Sequence, residues 1–188
     1  MIDHANLITA ENSVLLIVDM QAKLTATMPQ ADADLMIANT GKLIEAANTL
    51  AIPIFVTEQY PKGLGATETA VLNKLPVHSK TYPKTGFSCC EAEGFTQALE
   101  QTERRKIILA GQETHICILQ TALALLALGY QTYIVEDAVC SRNPQHKNNA
   151  LHRMQQQGVT VANYESVLFE WLKDAQHPDF KSLSALVR

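Results

Sequence analysis

Three residues of this chain could carry nucleophilic chemistry together, and each stands just past an apolar run short enough to be a strand. Asp19 follows Ser13-Val-Leu-Leu-Ile-Val18, Lys84 comes soon after the weaker run Val77-His-Ser-Lys-Thr81, and Cys117 closes Gly111-Gln-Glu-Thr-His-Ile-Cys117 downstream of Lys106-Ile-Ile-Leu-Ala110. Open parallel sheets gather ligands beyond the carboxyl ends of their strands. A thiol, a carboxylate and an ammonium brought to one such edge supply a nucleophile, a proton acceptor and a charge that orients both. Cys117 enters a helical pattern, where unpaired amides and the positive dipole end favour thiolate and can receive an oxyanion. Taken singly, each residue has an ordinary use: small buried hydrophobe, helix cap, solvated cation. Lys84 precedes Thr85-Gly86-Phe87-Ser88, a turn able to direct its amine inward toward Asp19.

The elements that must position these groups alternate short apolar runs with helical patterns, the signature of a parallel sheet covered on both faces. Asp32 to Leu50 places Met36, Leu43, Ala47 and Leu50 at helical spacing, with Thr40 the one polar residue on that stripe. Pro53 to Thr57 is the second strand, and Glu58 to Gly65 a long loop rich in Pro and Gly. Val77 to Thr81 is expected as the third strand, Glu91 to Gln101 as a helix, Lys106 to Ala110 as the fourth strand and Gln131 to Val135 as the fifth. Between the last two, Thr114 to Leu128 reads as a central helix, apolar around its axis and closed by Gly129. Pro144 to Gln157 is a helix closed by Gly158, Val159 to Ala162 a short sixth strand, and Ser166 to Lys173 a final amphipathic helix. The tail after Pro178 is apolar enough to dock on this subunit or on another. The expected fold is a three-layer α/β/α Rossmann-like domain with a mainly parallel, about six-stranded sheet, residues 1–188 forming a single domain.

Bulk properties narrow the function. The chain is 188 residues with nearly half hydrophobic residues and a net charge of -4, which argues against disorder and against a polyanion-binding surface. The expected partner is a small molecule, with no nucleic acid and no membrane. The opening Met-Ile-Asp-His-Ala-Asn lacks the basic start and apolar core of a signal segment, and no later apolar stretch spans a bilayer, so a cytoplasmic protein is expected. Cys89, Cys90, Cys117 and Cys140 lack paired zinc-site spacing, and reduced thiols are the default.

The segments around Asp19, Lys84 and Cys117 together resemble the isochorismatase-like cysteine hydrolase superfamily. Asp19-Met20-Gln21, Lys84-Thr-Gly-Phe-Ser88 and Gly111 to Cys117 match its three motifs in order, and Val56 to Gly65 is most similar to the isochorismatase-domain-containing subgroup. The resemblance implies Cys117 as nucleophile, Asp19 as its base and Lys84 as the cation that positions Asp19. It also implies a cis peptide at Gln112-Glu113, which would aim the amides of Glu113 and Cys117 at an oxyanion. The implied reaction is hydrolysis of a C–N bond in an amide-like molecule through a thioester-type intermediate, in a homo-oligomer. No cofactor and no metal are implied, because Glu58-Gln59-Tyr60 stands where nicotinamidases of the superfamily carry an Asp-x-His motif. True isochorismatases lack the nucleophilic cysteine, so isochorismate is not the expected substrate. The competing expectation is a non-catalytic binding, scaffold or redox-sensing protein that retains the fold.

Other residues carry smaller expectations. Gln21 either bonds within the site or caps the chain, and Tyr60 and Phe87 are candidates to wall the pocket. His115 is expected to diverge from Cys117. Cys89-Cys90 reads as a small packing pair or a redox pair, with Cys90 a candidate for the pocket lining. Cys140 is expected to be structural, and Asp137 a partner for Arg142.

Overall fold

Six apolar runs become the strands of one parallel sheet, ordered β3-β2-β1-β4-β5-β6, in a computed structural model that describes residues 6–77 and 79–188. The opening Met1 to Ala5 and His78 lie outside the described residues, and with them part of the expectations for the first residues and the third strand. In chain order the elements are β1 (Ser13–Val18), α1 (Ala22–Thr25), α2 (Gln30–Thr49), β2 (Ile54–Gln59), α3 (Pro61–Leu64), α4 (Thr69–Leu72), β3 (Lys80–Lys84), α5 (Phe95–Glu100) and β4 (Lys106–Gln112). They continue with α6 (Leu119–Ala127), β5 (Gln131–Cys140), α7 (Pro144–Gln156), β6 (Thr160–Ala162), α8 (Tyr164–Leu172) and α9 (Phe180–Ser184).

The layers follow from strand alternation. Leu15 and Ile17 of β1 face one core with Met36, Leu43 and Ile44 of α2 and Leu168 and Trp171 of α8, while Val14, Leu16 and Val18 face the other with Phe95, Leu125 and Met154. All six residues of β1 are buried, as a central strand covered on both faces requires. The order runs outward from β1 to β3 on one side and from β4 to β6 on the other, so the chain reverses direction between β1 and β4. That reversal opens a crevice at the carboxyl ends of these two strands. The apolar tail resolves onto its own chain, with Leu183 buried and Phe180, Leu186 and Val187 packed against the first core.

Several expectations shift: the expected loop from Glu58 to Gly65 holds the end of β2 and the short α3, β4 runs two residues past Ala110, and four further changes each have a local reason. The third strand begins at Lys80 and runs through Pro83 to Lys84 instead of ending at Thr81. β3 is an edge strand, where a residue without an N–H is tolerated, and Tyr82 fixes its register by stacking on Phe55 at 5.5 Å and meeting Phe95 edge-on. The expected helix from Glu91 is broken by Gly94 at φ 73, leaving a 3-10 turn at Cys89–Glu91 and the short α5. β5 extends to Cys140, five residues beyond the expected end, by resuming its pairing with β4 after a register shift. Finally, α6 is an outer-layer helix and not a central one: Ala122 and Leu125 are buried, but Ala127 and Leu128 are exposed and Leu123 and Leu126 half-buried.

Candidate active site

Asp19, Lys84 and Cys117 converge at the carboxyl end of the sheet. Asp19 follows β1 in the left-handed region at φ 49, a conformation more accessible to Asp than to most residues. Its N–H donates to Thr57 O at 3.1 Å, and its own carbonyl accepts from Gln21 N at 2.8 Å and from Gln112 Nε2 at 3.1 Å. The carboxylate accepts Thr57 Oγ1 at 2.8 Å on Oδ1 and Lys84 Nζ at 2.7 Å on Oδ2. Both side chains of the Lys84–Asp19 pair are fully buried.

Lys84 is the last residue of β3, two strands from Asp19, so its side chain must reach over the end of β2. Besides Asp19, Nζ meets Gln59 Oε1 at 2.6 Å, Phe87 O at 3.1 Å, Gly86 O at 3.3 Å and Cys117 Sγ at 3.6 Å. Burial works against its charge, but Asp19, Cys89 and Cys117 together outweigh burial and hold the ammonium above the ordinary lysine range. Lys84 is therefore a fixed positive charge.

Cys117 lies in a π-helical turn, Thr114–Ile118, that precedes α6 where a regular helix was expected. The Glu113 carbonyl accepts both Ile116 N and Ile118 N there, and the Gln112-Glu113 peptide is cis. Such widened turns recur at functional sites. Burial pushes the thiol well above the ordinary cysteine range, Asp19 adds to that by its charge, and Lys84 opposes it. That direction runs against the expectation that the helix entrance favours thiolate. Asp19 Oδ2 and Cys117 Sγ both lie on Lys84 Nζ, at 2.7 and 3.6 Å, so a carboxylate able to accept the thiol's proton stands in the same cluster.

The remaining candidates fall around this centre. Gln21 is fully buried and clamps the segment after β2: it accepts Gln59 N at 2.7 Å and donates to Gln59 O at 3.0 Å and Gly65 O at 2.6 Å. Tyr60, left-handed at φ 38 and half exposed, lines a cleft of about 420 Å³ with Lys62, Thr85, Glu91 and Glu93 beside Lys84. Phe87 gives its carbonyl to Lys84 and keeps its ring half exposed, outside that cleft's lining. The Gln112 side chain also reaches Thr25 Oγ1 at 3.0 Å. Arg142 is held by Glu113, whose carboxylate accepts its backbone N–H at 2.9 Å and Nε at 3.1 Å, and not by Asp137, which accepts Tyr164 N. His115 points away to Ser141 Oγ at 3.0 Å and packs on His146; burial first, then His146 and Arg142, lower its pKa against the pull of Glu113. Cys140 packs on Met36 and Cys90 is half-buried. Glu58, in the place of the nicotinamidase motif, accepts the N–H and hydroxyl of Thr67.

Sequence reasoning missed Thr57, Gln59 and the placement of Cys89. Thr57 and Gln59 share one face of β2 by their period of two, and that spacing was the available signal. Cys89 is fully buried against Thr57 Oγ1 at 3.5 Å, its thiol pushed up to about 12 by burial and then by the charge of Asp19.

Comparison with known proteins places these features among relatives. A family model described as the isochorismatase domain matches residues 13–166. The Dictyostelium discoideum protein named isochorismatase family protein 1B is 35% identical over 193 residues, covering 100% of this chain and 92% of its own length. The solved structure of the MAR1 ribonuclease from Caenorhabditis elegans superposes with a TM-score of 0.90 at 34% identity, covering 96% of this chain and 91% of that one. The YcaC product of Escherichia coli, described as an octameric hydrolase of unknown specificity, shares the fold with a TM-score of 0.86 at 22% identity, covering 98% of this chain and 97% of that one.

Proposed function

The chain belongs to the isochorismatase family, and from that premise we propose that it is a cysteine hydrolase of small amide-like molecules, with Cys117, Asp19 and Lys84 as its working groups. The observation that carries the proposal is the buried contact of Lys84 Nζ with Asp19 Oδ2 at 2.7 Å and Cys117 Sγ at 3.6 Å, at the reversal between β1 and β4. A carboxylate and an ammonium are costly to bury for structure alone. Placed against a thiol, they have a chemical use.

In the proposed reaction the Cys117 proton passes to Asp19 as the sulfur bonds to the substrate carbonyl carbon and the carbonyl electron pair moves to oxygen. Collapse of that adduct breaks the C–N bond, and the departing amine takes the proton from Asp19. Asp19 then accepts a proton from water as the hydroxide attacks the thioester, and the C–S bond breaks to release the carboxylic acid while Asp19 returns its proton to the Cys117 sulfur. Lys84 stays protonated throughout and offsets the negative charge passed between sulfur and carboxylate. The amides of Glu113 and Cys117 are the proposed oxyanion donors. A base so placed contributes roughly 10²- to 10⁴-fold to rate.

We take residues 1–188 as one such domain, working as a homo-oligomer that covers the exposed Leu128 flank of α6, in a reducing, cytoplasmic setting that keeps the four thiols free. Light scattering tests the assembly, and a monodisperse monomer would remove that part. The catalytic test is turnover of a panel of small amides by the wild-type protein and by Cys117→Ala. Loss of turnover with ligand binding retained is expected, while turnover that survives Cys117→Ala would overturn the assignment. The ribonuclease activity named for the Caenorhabditis elegans relative makes RNA cleavage the second reading, so an RNA oligonucleotide belongs in the same panel.

A further inference from the structure

The two charged residues of the site end strands that are not neighbours. β2 lies between them, and two residues on one of its faces each hold one member of the pair: Thr57 Oγ1 donates to Asp19 Oδ1 at 2.8 Å, and Gln59 Oε1 accepts from Lys84 Nζ at 2.6 Å. Gln59 is the register partner of Lys84 across β2 and β3, which sets the two side chains side by side at the sheet's end. Its amide is oriented at both ends. Nε2 donates to Thr85 O at 2.7 Å, so a flipped amide would face NH₂ to ammonium and oxygen to carbonyl oxygen. Its backbone is held as well, because the buried Gln21 accepts from Gln59 N and donates to Gln59 O as an adjacent strand would.

We propose that Gln59, anchored by Gln21, is a positioning residue that directs the Lys84 ammonium so that its remaining donors face Asp19 and Cys117. This rests on the catalytic reading of those three residues and adds a residue to it. The amide's neutrality matters. A carboxylate in its place would still accept from Lys84, but would put a second anion beside a thiol that must release a proton. A hydrocarbon would remove the acceptor and let Nζ drift toward the carbonyls of Gly86 and Phe87, which already lie at 3.3 and 3.1 Å.

The test uses the full chain carrying Gln59→Met or Gln59→Glu, with two readouts. Hydrogen exchange of the Lys84 ammonium, followed by proton–nitrogen NMR on lysine-labelled protein and assigned with Lys84→Met, should be at least ~10-fold faster in Gln59→Met and near wild type in Gln59→Glu, as expected when an acceptor is lost or kept. The pH profile of Cys117 alkylation by iodoacetamide, read by mass spectrometry between about pH 7 and 9, should shift so that the rate at any one pH falls roughly 10-fold in Gln59→Glu, because a nearby like charge disfavours the thiolate. A residue that only supports the fold would lower the melting temperature without producing this split. Lys84 exchange unchanged in Gln59→Met, or an unmoved profile in Gln59→Glu, overturns the positioning role, and the second arm decides alone if Gln59→Met does not fold. If wild-type Cys117 resists iodoacetamide while Lys84 exchange still answers to Gln59→Met, the catalytic reading fails and the placement of Lys84 by Gln59 stands.

Discussion

Lys84 shows how much one residue can depend on its partner. With both side chains of its ion pair fully buried, removing the cation leaves the Asp19 carboxyl group buried without its counter-charge. Lys84→Met should therefore destabilise the fold by about 3–5 kcal/mol, whereas Asp19→Asn combined with Lys84→Met should recover much of that loss. Urea unfolding of the two variants checks this, and equal losses in both would mean that the pair is not an electrostatic unit. Asp19, Lys84 and Cys117 were legible in the sequence because each stands at a strand's end inside a motif. Gln59 and Thr57 were not, because their partners lie 25 and 38 residues away across strands whose order no local pattern reveals. The upward push on the thiol's pKa was likewise hidden, since a helix entrance is visible in sequence but the burial that opposes it is not.

At the scale of elements, the pairing of β1 with β4 ends where Gly111 stands opposite Val18. Gly111 sits at φ 119, and a Cβ there would lie 2.1 Å from the Val18 carbonyl oxygen. Neither the conformation nor the space admits a side chain. Gly111→Ala should cost at least ~3 kcal/mol by forcing apart the two strands that carry Asp19 and lead to Cys117. A denaturant midpoint within error of wild type would show that the strands can separate without consequence. Runs buried on both faces, such as Ser13–Val18 and Lys106–Gln112, announce themselves by composition, whereas β3 at the edge is fixed by Tyr82 stacking on Phe55, a contact no spacing rule contains. The π-helical turn at Cys117 was read as regular helix because its residues have the same apolar pattern either way.

For the molecule as a whole, the buried thiols tie stability to pH. Burial raises Cys140 and Cys89 from an ordinary 9.0 to about 12, so the folded state holds these protons where the unfolded chain releases them. Their stabilising contribution is complete below pH 9 and is lost as pH climbs from 9 toward 12. Lys84, also held above its ordinary value, acts in the same direction at the upper end of that window. Each such group can steepen the decline by up to about 1.4 kcal/mol per pH unit, so Cys89, Cys140 and the likewise raised Cys117 together imply a fall of roughly 3–4 kcal/mol per unit near pH 10.5. Cys140 separates this effect from general alkaline damage, because it packs on Met36 in the core and, although its thiol also reaches Gln112 Oε1 at 3.7 Å, it is not one of the three proposed working groups. Cys140→Ala should lose about 1 kcal/mol at pH 7 through the space it leaves, yet decline less steeply above pH 9 by close to one group's share. Unfolding free energies measured from pH 7 to 10.5 would show the two curves meeting between about pH 9.5 and 10 and crossing above that, and parallel curves over that range would mean that Cys140 releases its proton equally easily in the folded and unfolded chain.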